Sequence, residues 1–450
     1  MVFRLGSWRR KTAGVAAAAI VAATLVSCSS GGTASQSSSS AKQTITWWSW
    51  NPDNHSDKQW IDGFEKEHPN VTVKHRFIQY SDYVNAVRLA ATTSSGPDVF
   101  GLQVGALTNQ FAPLTVDLAP LAAKSIGANW KSQLNATEQL QAQGKQVGLP
   151  WMVTGGGLIW YNQGLLKKAG ISAPPKTLTE WLADCKKITA TGKTCFVQGA
   201  KDDWTNIDMY QSIVNELTPG TFYQAVQGKG STKFNSPDFV KAFDIWKSFF
   251  SDGLIQKGAL AQTVYPDAND VFHKGQAAFI LNGTWQDSDM TNAGLATAAQ
   301  TYGSAVKSQV FLPAAFPDVV GGAKETGRLF GGPDVGWAIS AKSQHQAAAF
   351  SFVQWLTASK TAQTIMGKSL AGQPALKSVP ADDSDIVNPA GKAALKDQAS
   401  QLSNLIGQRQ IPSADVQTAL GQALSSVASG QSTPAAAAQS VQAAIDSAAK

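Results

Sequence analysis

The sequence predicts an α/β protein of two lobes, each a mostly parallel sheet flanked by helices. Two observations carry this: the order of elements over residues 44–103, and a length that exceeds one ordinary core. Thr44-Ile45-Thr46-Trp47-Trp48-Ser49-Trp50 is rich in β-formers and reads as a strand. Trp60, Ile61 and Phe64 form a helical stripe that Pro69 ends. Val71, Val73, His75 and Phe77 alternate as a second strand, and Ser81 can cap a helix carrying Tyr83, Val84, Val87 and Ala91. Gly96-Pro97-Asp98-Val99-Phe100 opens a third strand. A β-α-β-α-β run makes the strands parallel with helices on the sheet faces. Ligands of such sheets sit beyond the carboxyl ends of the strands, here Trp50, Tyr80 and Gln103. No glycine fingerprint follows the first strand, which argues against a dinucleotide fold.

Ahead of these elements, Arg4, Arg9, Arg10 and Lys11 precede an apolar stretch from Ala13 to Val26 that is short for a stable membrane span. That is the layout of a secretory signal over residues 1–27. Leu25-Val26-Ser27-Cys28 resembles a bacterial lipobox, so Cys28 is expected to be lipidated and to become the new N-terminus. Residues 28–43 are almost all small or polar and read as a flexible tether. The mature protein is then expected at the extracytoplasmic face of the cell membrane, held by lipid alone.

Removing the leader changes the charge argument. The chain has 37 Lys+Arg and 31 Asp+Glu; subtracting the four leader cations leaves 33 against 31, a net of +2. No basic cluster interleaves with aromatics, so nucleic acid is not an expected partner. In an exported chain Cys185 and Cys195 favour a local disulfide. Closing that 11-residue loop stabilises by up to about 3 kcal/mol. A zinc site would need more ligands, and none of the five His falls in this segment, so neither metal nor cofactor is implied.

The middle of the chain is more helical. Thr177 and Glu180 have capping-box spacing, Phe239, Ala242, Phe243, Trp246 and Phe250 form one apolar stripe, and Phe350, Val353 and Leu356 another. Thr433-Pro434 opens an Ala-rich helix. Catalytic signatures fail in detail. Gly192-Lys193-Thr194 and Gly367-Lys368-Ser369 lack the first glycine of a phosphate loop, and Ser304-Ala305-Val306-Lys307 has no companion motifs. Of six Glu, Glu65 and Glu67 lie on a solvated helix and Glu180 caps one. A lipid-anchored glycoside hydrolase or lyase would have to use Asp residues.

Fourteen tryptophans stand out, Trp8 among them in the leader. Trp60, Trp181, Trp246 and Trp355 fall on helical stripes and read as core, while Trp130 and Trp160 fit either reading. Trp47, Trp48, Trp50, Trp151, Trp204, Trp285 and Trp337 stand at strand ends or beside Gly and Pro. Indole faces suit the C–H faces of pyranose rings, whose hydroxyls need Asp, Asn, Gln or backbone partners.

Gln146-Val147-Gly148-Leu149-Pro150-Trp151, Gly157-Leu158-Ile159-Trp160-Tyr161-Asn162, the run Gly275 to Trp285, and Gly331-Gly332-Pro333-Asp334-Val335-Gly336-Trp337 occur in that order. With them the chain resembles the sugar-type bacterial extracellular solute-binding proteins of ABC transporters, family 1 in lipoprotein form, of which maltose-binding protein is a distant example. The resemblance implies the two-lobe periplasmic-binding-protein-like fold. Its hinge closes over a mono- or oligosaccharide, which a monomer then presents to permease subunits without any catalysis. It implies a first lobe of 44–154 plus 308–357 and a second of 155–307 plus 358–450. By position Trp285 resembles the family's stacking aromatic, and Gly332, Asp334 and Trp337 its polar ligand segment. Trp50, Gln103, Trp151 and Trp204 are expected to face the cleft as well. A sugar-sensing binding module is the other reading of the same features.

Overall fold

The computed structural model describes residues 42–449. The leader, Cys28 and most of the expected tether lie outside the described residues. Order begins one residue earlier than the composition suggests, with Gln43 already paired to Val71.

The strand Gln43–Ser49 buries Ile45, Trp47 and Ser49 on one face, the period-two pattern of a pleated strand. It sits between Val71–Phe77 and Val99–Leu102 and is parallel to both, as the β-α-β-α-β reading expects. Gly336–Ile339 adds antiparallel to Val99–Leu102, and Leu149–Pro150 pairs antiparallel to it at the edge. The helix between the second and third strands starts at Tyr80 rather than after Ser81, so Ser81 lies in its first turn and caps nothing.

A second sheet takes the order Phe311–Ala315, Leu158–Asn162, Ala277–Asn282, Thr194–Val197. Only its last pair is parallel; the other two pairings are antiparallel, because Leu158–Asn162 enters directly from the other lobe and so runs against its neighbours. Three short antiparallel strands, Phe330–Pro333, Met152–Gly156 and Gln373–Pro374, join the lobes. They approach closely at Gly331, where a Cβ would stand 2.0 Å from the Thr154 carbonyl oxygen, so only glycine fits. Each sheet is packed on both faces by buried clusters, one pair built around Trp47 and Phe100, the other around Trp181 and Trp160.

Two lobe boundaries move. Phe311–Ala315, expected in the first lobe, pairs with Asn162 to Leu158 in the second sheet. The helix Lys360–Ser369, expected in the second lobe, packs against Lys58–Glu67 and Gln346–Ala358 in the first. The chain therefore crosses after residue 315 and again beyond 369, later than sequence motifs mark it.

Local expectations hold elsewhere. Glu180 N–H donates to Thr177 Oγ1 at 3.2 Å, and the Glu180 carboxylate accepts from Lys176 N–H at 2.7 Å. Ala436 N–H donates to Thr433 Oγ1 ahead of the C-terminal helix. Cys185 and Cys195 form a disulfide between a helix and the adjoining strand, with Cα atoms 5.0 Å apart. Trp60, Trp181, Trp246 and Trp355 are buried, and so are Trp130 and Trp160.

One buried acid gives the second lobe a pH signature. Glu216 is 3 % exposed; its Oε2 accepts from Val319 N–H at 3.0 Å and its Oε1 has no partner. Burial pushes its carboxyl up from 4.5 to about 8, so the folded state keeps a proton that the unfolded chain releases. The stability this contributes is complete below 4.5 and is lost as pH rises through about 8. Glu216→Gln should flatten stability over that window. Near pH 9 it should exceed the parent by on the order of 3 kcal/mol, read by urea unfolding. Parallel pH profiles for the two proteins would refute the assignment.

Candidate functional site

A cavity of about 970 Å³ opens between the two sheets' carboxyl ends, and residues of both lobes line it. From the first lobe come Trp50, one residue past the strand Gln43–Ser49, Tyr80 at the start of its helix, and Gln103, one residue past Val99–Leu102. These are the three strand ends that the parallel topology singles out. From the second come Trp204, in the first turn after strand Thr194–Val197, and Trp285, just past Ala277–Asn282. Tyr265 and Arg409 arrive on connections between helices, and Asp334 lies between the joining strand Phe330–Pro333 and the first-lobe strand Gly336–Ile339.

The aromatics form a continuous wall. Trp50 meets Tyr80 edge-on at 5.6 Å, Tyr80 meets Trp204 edge-on at 6.4 Å, and Trp204 lies 6.3 Å from Tyr265 and 6.0 Å from Trp285. Trp285 Nε1–H donates to the Tyr265 hydroxyl at 3.1 Å.

Beneath the wall runs a polar chain that spans the lobes. The Tyr80 hydroxyl donates to Gln103 Oε1 at 2.6 Å, and Gln103 Nε2 donates to Asp334 Oδ1 at 2.9 Å. Arg409 Nη1 donates to the same Asp334 oxygen at 3.2 Å, and its Nε donates to both Asp208 oxygens at 3.0 and 2.9 Å. The guanidinium also lies 4.3 Å from the Trp285 ring centre and 5.2 Å from that of Trp204. Burial pushes Asp208 up to about 6 and raises Asp334, Arg409 offsetting part of each shift. Burial opposes the Arg409 charge, but Asp208 and Asp334 outweigh it and hold the group above its ordinary value. Among the described residues, Asp334 Oδ2 and Arg409 Nη2 have no hydrogen-bond partner.

Five sequence-predicted residues thus meet at the cavity: Trp50, Gln103, Trp204, Trp285 and Asp334. Three do not. Trp151 and Trp337 are fully buried, packed edge-on or tilted against Trp60 and Trp47 in the first-lobe core. Gly332 lies in a strand joining the lobes, where its missing Cβ would collide with the Gln139 side chain. Trp285 is in place but not free, since Arg409 covers one ring face. Sequence reasoning missed Tyr265, Asp208 and Arg409. A signal existed for the last: beyond residue 27 the only arginines are Arg76, Arg88, Arg328 and Arg409, and Arg409 alone stands in a Gln-rich turn between helices.

A hydrolase look-alike stands nearby. Ser49 Oγ lies 2.7 Å from His75 Nε2, and His75 Nδ1 lies 2.7 Å from Asp57. The distances match a nucleophile–base–acid triad. Ser49 is fully buried, however, so no substrate reaches its oxygen. The chain instead ties the loop bearing Trp50 and Asp57 to the second strand.

The family model of bacterial extracellular solute-binding proteins matches residues 49–363. The galactooligosaccharide-binding protein of Bacillus subtilis is 26% identical over 254 residues, 55% of this chain and 57% of its own length. The chain thus spans little more than half of that relative. The multiple sugar-binding protein of Streptococcus mutans is 22% identical over 354 residues, 76% and 77% of the two chains. Among solved structures, a chitin oligosaccharide binding protein superposes with a TM-score of 0.72 at 21% identity, covering 91% of this chain and 99% of the other. Maltose-bound MalE3 of T. maritima superposes with a TM-score of 0.70 at 20% identity, covering 90% and 100%. These two likenesses bear on the fold.

Proposed function

Since the chain belongs to the bacterial extracellular solute-binding proteins, a family of binders and not an enzyme class, we propose that it captures a mono- or oligosaccharide in the inter-lobe cavity. It delivers the sugar to the permease subunits of an ABC importer. The observation that carries this reading is the juxtaposition at the cavity floor of a free carboxylate oxygen on Asp334 and a free Nη2 on Arg409, beneath an aromatic wall. An adjacent acceptor and donor suit neighbouring sugar hydroxyls, and ring faces suit the sugar's C–H surface. The Bacillus and Streptococcus relatives, named as binders of galactooligosaccharides and of multiple sugars, support the same ligand class. Both lobes contribute, so ligand favours the closed form through contacts that only closure makes.

Because Arg409 occupies one face of Trp285, Trp204 and Trp50 are the proposed stacking surfaces and Trp285 the support beneath Arg409. If Trp204 covers about 80 Å² of ligand, Trp204→Ala should weaken binding about thirtyfold, on the order of 2 kcal/mol. Isothermal calorimetry against a panel of neutral saccharides measures this, with melting curves confirming the fold. Unchanged affinity at unchanged stability removes Trp204 from the site, and a panel without a single binder removes the sugar reading. The proposed anchor is acyl chains on Cys28, with residues 29–42 as the tether. Among the described residues no helix is long and apolar enough to cross a membrane. Cys28→Ala should move the protein out of the detergent phase in Triton X-114 partitioning; unchanged partitioning contradicts lipidation.

A further inference from the structure

The cavity floor carries more negative than positive charge where a ligand must sit. Asp208, Asp334 and Arg409 are 3 %, 8 % and 8 % exposed, so two carboxylates share one guanidinium in a site largely closed to water. The guanidinium charge is already shared: Nε serves Asp208 and Nη1 serves Asp334, which leaves Nη2 alone to meet a ligand. The remaining ionisable groups around the cavity do not redress the balance. Lys58 pairs with Asp62 in solvent at the rim, and Asp53 accepts from the backbone of His55 and Ser56. His273 pairs with Asp289, while Lys368 and His55 are exposed at the edge.

We propose that this cleft selects saccharides by charge, accepting neutral or amine-bearing sugars and rejecting carboxylate-bearing ones. The inference rests on the saccharide reading and deepens it. A ligand carboxylate reaching the floor meets Asp334 Oδ2, a like charge in a low-dielectric setting, and Arg409 can offer it only Nη2, its single positive charge being already shared by two buried carboxylates. A hydroxyl donates to that same oxygen without penalty. An ammonium does so with charge assistance and faces Trp50, Tyr80 and Trp204, whose ring faces attract cations. Rejection thus comes from a built-in repulsive element as much as from the contacts that favour the accepted class.

The test uses an array of neutral, amine-bearing and uronate-bearing oligosaccharides probed with the mature protein at neutral pH. Affinities are then measured for the best binder and for its uronate counterpart, oxidised at C6. Binders should fall in the first two classes, and the uronate should bind at least about a hundredfold more weakly than its parent. Asp334→Asn should narrow that gap by at least about tenfold. If Asp334→Asn binds nothing, Asp208→Asn, which removes the same charge without lining the cavity, carries the same expectation. A uronate that binds within about threefold of its parent overturns the proposal and leaves the saccharide reading standing. A gap that neither variant narrows overturns it equally. An array without binders overturns the saccharide reading, and the charge rule with it.

Discussion

Arg409→Ala is expected to destabilise the protein by about 3–5 kcal/mol at pH 8, because it strands two buried carboxylates that now share its guanidinium. The deficit should shrink in acid, and the sign follows from Asp208. Its folded pKa is about 6 against 3.8 unfolded, so the folded state binds the extra proton, and stability is lost as pH rises from 3.8 through 6. Burial drives that shift and Arg409 restrains it. Without the guanidinium both carboxyls rise further, and the cost of ionising them by pH 8 grows. At pH 5 they keep their protons and most of the loss is avoided. Urea unfolding of parent and variant at the two pH values measures the difference. A deficit equal at both would mean that Arg409 acts through packing on Trp285 and Trp204, not through its charge. Adding Asp208→Asn to the variant should recover part of the loss, since a neutral amide needs no counter-ion.

The buried ion network explains why the site was only half legible in the sequence. Strand ends were legible because the β-α-β-α-β order makes Gln43–Ser49 and Val71–Phe77 parallel, and direction fixes which end faces the ligand. Trp50 and Gln103 follow from that rule alone, Trp285 and Asp334 follow from motif position, and Trp204, after Asp202-Asp203, matches the family pattern only loosely. The misassigned tryptophans share a physical cause. Pro150 beside Trp151 and Gly336 beside Trp337 suggested open loops, yet the glycines around these rings mark dense packing. A Cβ on Gly148 would stand 3.3 Å from the Trp337 carbonyl oxygen, and one on Gly101 would stand 2.9 Å from Trp50 and 3.4 Å from Trp337. Small residues let four indoles interlock, and the same absence of side chain that frees a loop also admits a neighbouring ring. Arg409 and Asp208 lie 201 residues apart. No local pattern couples them, because their partnership exists only once the third crossing has brought the C-terminal helices back to the second lobe. The lobe boundaries moved for the same reason: Phe311–Ala315 carries no signal of which sheet it joins, and its partner Leu158–Asn162 decides the matter.

Trp246→Ala should be among the most damaging single truncations outside the site, at about 4–6 kcal/mol. The indole is fully buried on the helix Pro237–Ser251, which packs against Asp203–Leu217, Ala414–Ala428 and Pro434–Ala448. Removing it leaves a cavity costing about 3–5 kcal/mol in a region where three helices limit collapse. It also orphans the Leu424 carbonyl, which accepts from Trp246 Nε1–H at 2.9 Å, for about 1 kcal/mol more. Trp246→Phe separates the two parts, since a phenyl ring fills most of the void but cannot donate; it should lose less than half as much. Of the buried tryptophans, Trp47, Trp60, Trp151, Trp181, Trp337 and Trp355 have no hydrogen-bond partner for their indole nitrogen, so Phe at those positions surrenders volume alone. Chemical unfolding of both Trp246 variants, followed by limited proteolysis of the C-terminal helices, measures the effect. A loss below about 1 kcal/mol for Trp246→Ala would mean that those helices are held without it, contrary to the packing seen here. The contrast with Trp204→Ala then decides function from fold, since one indole should carry stability and the other affinity.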